Sequence, residues 1–358
     1  MKAWQINGFG SPFELRDVPM PEVRPGSILV KIETSSLMSY LNDYVEGKLP
    51  GYRPPHGRFT PGGNAFGVVE AVGRDVWHLR PGQRVVLSSH LVTSENVADK
   101  AQILIGVTNF GGVGGPMMAD WPDGTLAEYA LWPVSAVTPV DGLDSIAPEQ
   151  FSIFSRCIVP YGGLVRGRLS AGETVIINGV TGAYGTVAAL VALALGAGKV
   201  VGAGRSAEKL TAITEATTGR VSTVLLTGDA AADAEALRAA AAGGAELAFD
   251  MVGQANDPSS TLAALSSLRR NGRLVLMGSM TAPVPINYMQ MMANNLEIIG
   301  HFMYEADAHL KLLNLLRVGR LDMSPVKATV YPMTELPAAM QAARKADSLT
   351  CIVLRHDL

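Results

Sequence analysis

The run Thr174-Val175-Ile176-Ile177-Asn178, followed by Gly179-Val180-Thr181-Gly182-Ala183-Tyr184-Gly185 and an apolar stretch to Leu195, constrains this chain more than any other part of it. A β-branched run entering a GxxGxxG turn, with helix-forming residues leaving it, reads as strand, tight turn and helix. Glycine makes up 38 of 358 residues, so the spacing alone is a weak signal. The flanking strand and helix give it weight, because the backbone N–H groups that open such a helix point to where a pyrophosphate is held. Gly179, Thr181, Gly182, Ala183, Tyr184 and Gly185 are therefore candidate dinucleotide contacts.

From Glu173 onward the pattern alternates. A helix is expected over 186–195, then strand 199–203, helix 207–216, strand 222–226, helix 230–241, strand 246–250, helix 259–268, strand 272–277 and a sixth strand 296–300. Such alternation predicts an α/β doubly wound parallel sheet with right-handed crossovers.

The part before it is β-rich. Leu29 to Glu33 alternates, Gly67 to Gly73 is a β-branched run, and Gln83 to Leu87 follows a Pro81-Gly82 turn, which together predict an irregular barrel-like domain. Between Ser88 and Asp123 the pattern dissolves around Phe110-Gly111-Gly112-Val113-Gly114-Gly115-Pro116, and a flap is expected there. After Tyr304, helix 308–318, strand 328–331, helix 336–346 and strand 351–354 do not continue the alternation. Assigned to the first domain, they make the cofactor sheet an insertion, with boundaries 1–150, 151–302 and 303–358.

A chain of 358 residues, 48% apolar and 17% charged, has material for two cores and little for disorder. The net charge of −3, with scattered Lys and Arg, offers no footprint for nucleic acid. The opening Met1-Lys2-Ala3-Trp4 lacks the pattern of a signal peptide, and the apolar stretch 187–195 is too short to span a bilayer. A cytoplasmic protein with a small-molecule substrate and no membrane partner is expected. Cys157 and Cys351 are too few for a disulfide framework or a Cys-rich zinc module and read as free, buried thiols.

The second strand of the sheet ends in Gly204-Arg205-Ser206, with Lys209 one turn further on. An NAD site wants a carboxylate here for the ribose 2′-hydroxyl. An arginine and a hydroxyl would instead hold a 2′-phosphate, which favours NADPH.

In their order these features resemble the medium-chain dehydrogenase/reductase superfamily over essentially the whole chain. The resemblance is carried by Pro25-Gly26, Gly67 to Gly73, Pro81 to Val85, Asp123-Gly124-Thr125-Leu126-Ala127-Glu128-Tyr129, Leu169 to Val175, the glycine turn and Asp250-Met251-Val252-Gly253. It implies a Rossmann sheet inserted in a GroES-like catalytic domain. Zinc-dependent members place a cysteine where Leu37 or Met38 stands, Gly-His-Glu where Gly63-Asn64-Ala65 stands, and a third ligand near Ser155; their structural-zinc cysteines have no counterpart in 88–123. The chain is thus similar to zinc-independent members, which mostly reduce quinones or the activated double bond of enones, and no metal is expected.

What the resemblance implies is hydride transfer from NADPH to a conjugated carbonyl or quinone. Tyr40 and Ser39, in the segment replacing the zinc cysteine, are the candidates to donate a proton or clamp the carbonyl, with Asn42 beside them. The Asn and Asp of zinc-free quinone reductases fall on Met38 and Leu41 and do not carry over. Nicotinamide contacts are implied for Val159, Val252, Gly253, Gly278, Ser279, His301 and Phe302. Met289, Met291 and Met292 read first as core packing and second as a pocket wall or subunit surface, and strand 296–300 is expected to pair sheets across a homodimer. Two other readings stay open: a zinc-free NADP-dependent alcohol dehydrogenase or ketone reductase, and a non-catalytic NADPH-binding sensor.

Overall fold

A computed structural model describes residues 1–38, 40–109 and 114–357. Ser39, one of the two catalytic candidates, and 110–113, part of the expected flap, lie outside the described residues.

The chain divides into two compact units: Met1–Ser155 with Ala328–Ala346 and Cys351–Leu358, and Arg156–Lys327 with Asp347–Thr350. The first unit opens with β1 (Lys2–Gln5), β2 (Glu14–Asp17), β3 (Ser27–Ser36), the short helix α1 (Leu41–Val45), β4 (Ala65–Val72) and β5 (Arg84–Leu87). Alternate residues of β3, namely Ile28, Val30 and Ile32, sink into a core with Val69, Val85, Leu87 and Trp132, as the two-residue period of a strand requires. The described residues of the expected patternless stretch 88–123 hold regular structure: β6 (His90–Val92) and β7 (Gln102–Leu104) form a hairpin, and α2 (Gly115–Asp120) follows. Ile103, Ile105 and Met118 are buried there, in runs too short to show a period. After β8 (Tyr129–Pro133) and β9 (Val137–Pro139), helix α3 runs over Pro148–Arg166.

In the second unit β10 (Thr174–Asn178), α4 (Ala183–Ala194), β11 (Lys199–Gly204), α5 (Ala207–Ala216), β12 (Val221–Leu225), α6 (Ala230–Ala240), β13 (Ala245–Asp250), α7 (Ser259–Ser266), β14 (Leu268–Leu276), α8 (Tyr288–Asn294) and β15 (Glu297–Gly300) realise the expected alternation. The six strands are parallel, in the order β12-β11-β10-β13-β14-β15. That order reverses between β10 and β13, and ligands of such sheets bind outside the carboxyl ends of the strands at the reversal.

Helix α9 (Ala308–Arg317) corrects the expected boundary, since residues 303–327 belong to the second unit rather than the first. The cause is a close packing that no sequence period reveals: a Cβ on Gly162 of α3 would stand 2.4 Å from the Met303 carbonyl oxygen. Tyr304, Ala308, Leu312 and Leu313 are buried behind it. Then β16 (Lys327–Pro332), α10 (Leu336–Lys345) and β17 (Thr350–Arg355) follow, and the strand order β16-β17-β3-β4-β5-β9, with β8 also on β3, completes a sheet of seven strands.

Core packing is corrected for Met289 and Met292, while Met291 is partly buried against the core of the second unit. Helix α8 buries none of its residues, and Tyr288, Met289 and Met292 are 77%, 60% and 54% exposed. Both cysteines are free and buried. Among the described residues no helix is long and apolar enough to cross a membrane.

Candidate cofactor and active site

In the second unit the glycine turn sits where the strand order reverses. Gly179 takes φ +81°, a left-handed conformation that leaves β10 sharply, and Gly182 caps α4 in an extended conformation with no side-chain hydrogen bond. The cap therefore contributes no side-chain acceptor to the first turn of α4, the turn from which sheets of this kind hold a phosphate. A Cβ on Gly182 would meet only the Gly179 oxygen, at 3.4 Å, whereas one on Gly185 would lie 2.0 Å from that oxygen. Gly182 thus keeps the cradle clear, and Gly185 lets α4 close on its own turn. Thr181 packs on Gly204, where a Cβ would come within 2.7 Å of its methyl carbon. The donors and the cleared space fit a dinucleotide pyrophosphate.

Beside this turn Arg205 and Lys209 are exposed, and Ser206 caps α5 by accepting the Lys209 N–H at 3.4 Å. The hydroxyl proton of Ser206 remains available to a ligand. Val159 is not buried, alone in the run 151–164. Val252, Gly253, Gly278, Ser279, His301 and Phe302 all follow the carboxyl ends of β13, β14 and β15, at the same edge of the sheet. Gly278 and Ser279 are exposed there, and Gln254 N–H donates to the Ser279 oxygen at 3.2 Å.

Two residues at this edge went unmarked as candidates. Asn178 ends β10 and donates through Nδ2 to Ser260 Oγ at 3.3 Å, while the buried Asp250 ends β13 in register with it. Burial pushes the Asp250 carboxyl up, against hydrogen bonds from Thr261, Val252 and Asn178 that pull it down. The Asp250-Met251-Val252-Gly253 string was the available signal.

In the first unit Tyr40 precedes α1, and its ring meets that of Tyr52 edge-on at 6.2 Å. The two hydroxyls share a hydrogen bond; burial pushes the Tyr52 phenol up and the bond from Tyr40 draws it back. Tyr44 packs on Tyr52 at 6.0 Å and donates to the Val107 oxygen at 2.6 Å, so its own proton is committed. Tyr52 carried no sequence signal, because a loop brings it to Tyr40. Asn42 donates to the Met340 oxygen at 3.3 Å, which ties it to α10.

The positions equivalent to zinc ligands do converge. Leu37 is buried and its N–H donates to the Ile352 oxygen. Met38 instead lies by Gly63, where a Cβ would be 3.9 Å from its sulfur. Asn64 accepts from Ser89 N and Oγ at 2.7 and 2.9 Å and donates to the Ser155 carbonyl at 3.4 Å. Ser155 Oγ donates to Phe151 O at 2.8 Å. A thioether, an amide already engaged on both sides and a hydroxyl bonded within its own helix do not fit zinc, which takes thiolate, imidazole or carboxylate. Among the described residues no group of three or more His, Cys, Asp or Glu could hold a metal.

A parallel sheet with an open, glycine-lined helix start at its reversal, joined to a β-rich unit, defines the two-unit class of dinucleotide-dependent oxidoreductases. Family models agree: an alcohol dehydrogenase GroES-like domain matches residues 24–142 and a zinc-binding dehydrogenase domain residues 183–317. The chain is 28% identical over 342 residues to an L-threonine 3-dehydrogenase of Streptomyces avermitilis, covering 92% of each. It is 23% identical over 335 residues to a sorbitol dehydrogenase of Bacillus subtilis, covering 92% of this chain and 90% of that one. The alcohol dehydrogenase of Thermus sp. ATN1 has the same fold, with a TM-score of 0.79, 23% identity and 99% coverage of both chains. The chain belongs to the medium-chain dehydrogenase/reductase superfamily and is an oxidoreductase of the alcohol dehydrogenase type.

Proposed function

We propose that the chain interconverts a small carbonyl compound and its alcohol with NADP(H), without a protein-held zinc ion. The observation that carries this is the Met38, Asn64 and Ser155 set, whose donors are unsuited to the metal and, for Asn64 and Ser155, already spent on protein hydrogen bonds. A nicotinamide bound there would supply or accept the hydride. The first turn of α4 and the cleared space at Gly182 would hold the pyrophosphate, and Arg205 and Ser206 would receive the 2′-phosphate. Tyr40 donates the proton that the carbonyl oxygen takes up, or in the other direction receives it, the hydrogen bond of the pair then running from the Tyr52 hydroxyl to the Tyr40 oxygen. The relatives' names, which concern alcohols and polyols, support carbonyl chemistry over reduction of a carbon–carbon double bond.

A second reading, reduction of an enone or quinone, is favoured by the same donor set, because without a Lewis acid a substrate whose own conjugation spreads the incoming charge is the easier one. A homodimer through the outer strand β15, beside the exposed Tyr288, Met289 and Met292, belongs to either reading. Chelator-treated protein offered NADPH with ketones, enones and quinones in parallel, read by loss of near-ultraviolet absorbance, tests them. Turnover of ketones supports the leading reading and turnover of enones or quinones alone the second; silence throughout with tight NADPH binding would point to a sensor.

A further inference from the structure

Asp250 does more than its place in a motif requires. Its residue is 3% exposed, and among the described residues no lysine, arginine or histidine pairs with it. One carboxylate oxygen accepts the Val252 N–H at 2.9 Å and the other the Thr261 hydroxyl at 2.5 Å. Its backbone carbonyl accepts both Met277 N–H at 3.1 Å and Gly278 N–H at 2.9 Å. One residue therefore holds the turn after β13 by its side chain and the turn after β14 by its main chain. The turns also touch each other, since a Cβ on Gly278 would fall 2.1 Å from the Val252 oxygen and one on Gly253 3.1 Å from Ser279 Oγ.

A buried carboxylate with no cation beside it is costly unless hydrogen bonds replace its water. Here the donors that replace it belong to the turn itself, to the start of α7 and to Asn178 at the end of β10, so the cost is offset only while Val252, Thr261 and Asn178 stay where they are. We propose that Asp250 is a positioning residue that locks the turns 251–253 and 277–279 into one arrangement, a preformed seat for the nicotinamide end of the cofactor that leaves the adenosine end to bind independently. The proposal rests on the reading that these turns face the nicotinamide. Preorganisation of this kind raises affinity for the part of a ligand that the locked groups touch and for no other part.

The test compares the unaltered chain with Asp250→Ala, Asp250→Asn and Thr261→Val, titrating NADPH and NADH against their nicotinamide-free fragments, 2′-phospho-ADP-ribose and ADP-ribose, by calorimetry. Asp250→Ala should weaken whichever dinucleotide the unaltered chain prefers by about tenfold or more while leaving its fragment within about twofold. Asn, which still accepts the Val252 N–H, should restore affinity to within about threefold of the unaltered chain. An equal loss for dinucleotide and fragment, or no loss for either, overturns the proposal. If the alanine variant does not fold, Thr261→Val decides: a selective loss of about threefold supports the proposal and an unselective one overturns it. An unaltered chain that binds neither dinucleotide would sink the cofactor reading and the proposal with it.

Discussion

Ser35 and His356 are 321 residues apart in the chain and share a hydrogen bond of 2.9 Å. The other ring nitrogen of His356, Nδ1, lies 2.8 Å from the Ala127 carbonyl oxygen. A carbonyl only accepts, so Nδ1 carries the proton and Nε2 accepts from the Ser35 hydroxyl. This neutral imidazole fastens the end of β17 to β3 and to the segment before β8.

Burial draws the His356 pKa down from 6.5 to about 4, against a hydrogen bond to Ala127 that raises it. A folded-state value below the unfolded one means that the unfolded chain binds the extra proton. The contribution is complete above about pH 6.5 and is lost as pH falls through 4, a difference of about 3 kcal/mol in all. Urea midpoints of the unaltered chain and His356→Gln should diverge in slope between pH 7 and 5, the variant being flatter; parallel curves would contradict a neutral, buried His356.

Gly185→Ala and Gly182→Ala should fail in different ways. The first puts a methyl group 2.0 Å from the Gly179 oxygen and should cost about 2–4 kcal/mol of stability in thermal or urea unfolding. The second meets nothing nearer than 3.4 Å, so its melting temperature should hold while dinucleotide affinity falls about tenfold or more in a fluorescence titration.

Arg205→Ala should reduce kcat/KM with NADPH by about ten- to a hundredfold, the worth of a charge-assisted contact to a phosphate, and change the value with NADH little. Steady-state kinetics with both cofactors decides, and equal losses would remove Arg205 from the 2′-phosphate.

Tyr40→Phe should lower kcat about a hundredfold or more, with a smaller change in KM, if its hydroxyl handles the substrate proton. Tyr52→Phe keeps that hydroxyl but removes its partner, and a loss of about tenfold is expected. The two together should lose little more than Tyr40→Phe alone, because the residues act as one unit.

Elemental analysis of protein purified without added metal should find no stoichiometric zinc, and chelator should leave turnover unchanged. Zinc-dependent turnover would overturn the reading of Met38, Asn64 and Ser155.

The local parts of the fold were legible because they obey local rules. The strand before Gly179, the helix after Gly185 and the two-residue period of β3 follow from side-chain size and backbone freedom within a few residues. Even there α4 begins at Ala183 rather than 186, because Gly182 can serve as the cap. The parts that were not legible depend on distant partners. Residues 303–327 join the second unit through the close approach of Met303 to Gly162, and Tyr52 meets Tyr40 across a loop. Asp250 was visible as a letter in a motif, but its hold on Val252, Thr261 and Gly278 needs three turns placed in space.

The division of the first unit between the two ends of the sequence bears on how the chain is made. β8 covers β3 from Ser27 to Lys31, and β17 covers it from Thr34 to Ser36. Translation delivers every strand of the six-stranded sheet before it delivers β17. The second unit can thus mature on the ribosome while the far half of β3 still shows an unpaired backbone edge, the kind of surface that recruits other chains. How long the newborn protein is exposed to that hazard is set by the pace of synthesis across the inserted domain, and neither the speed nor the stability of folding can shorten it.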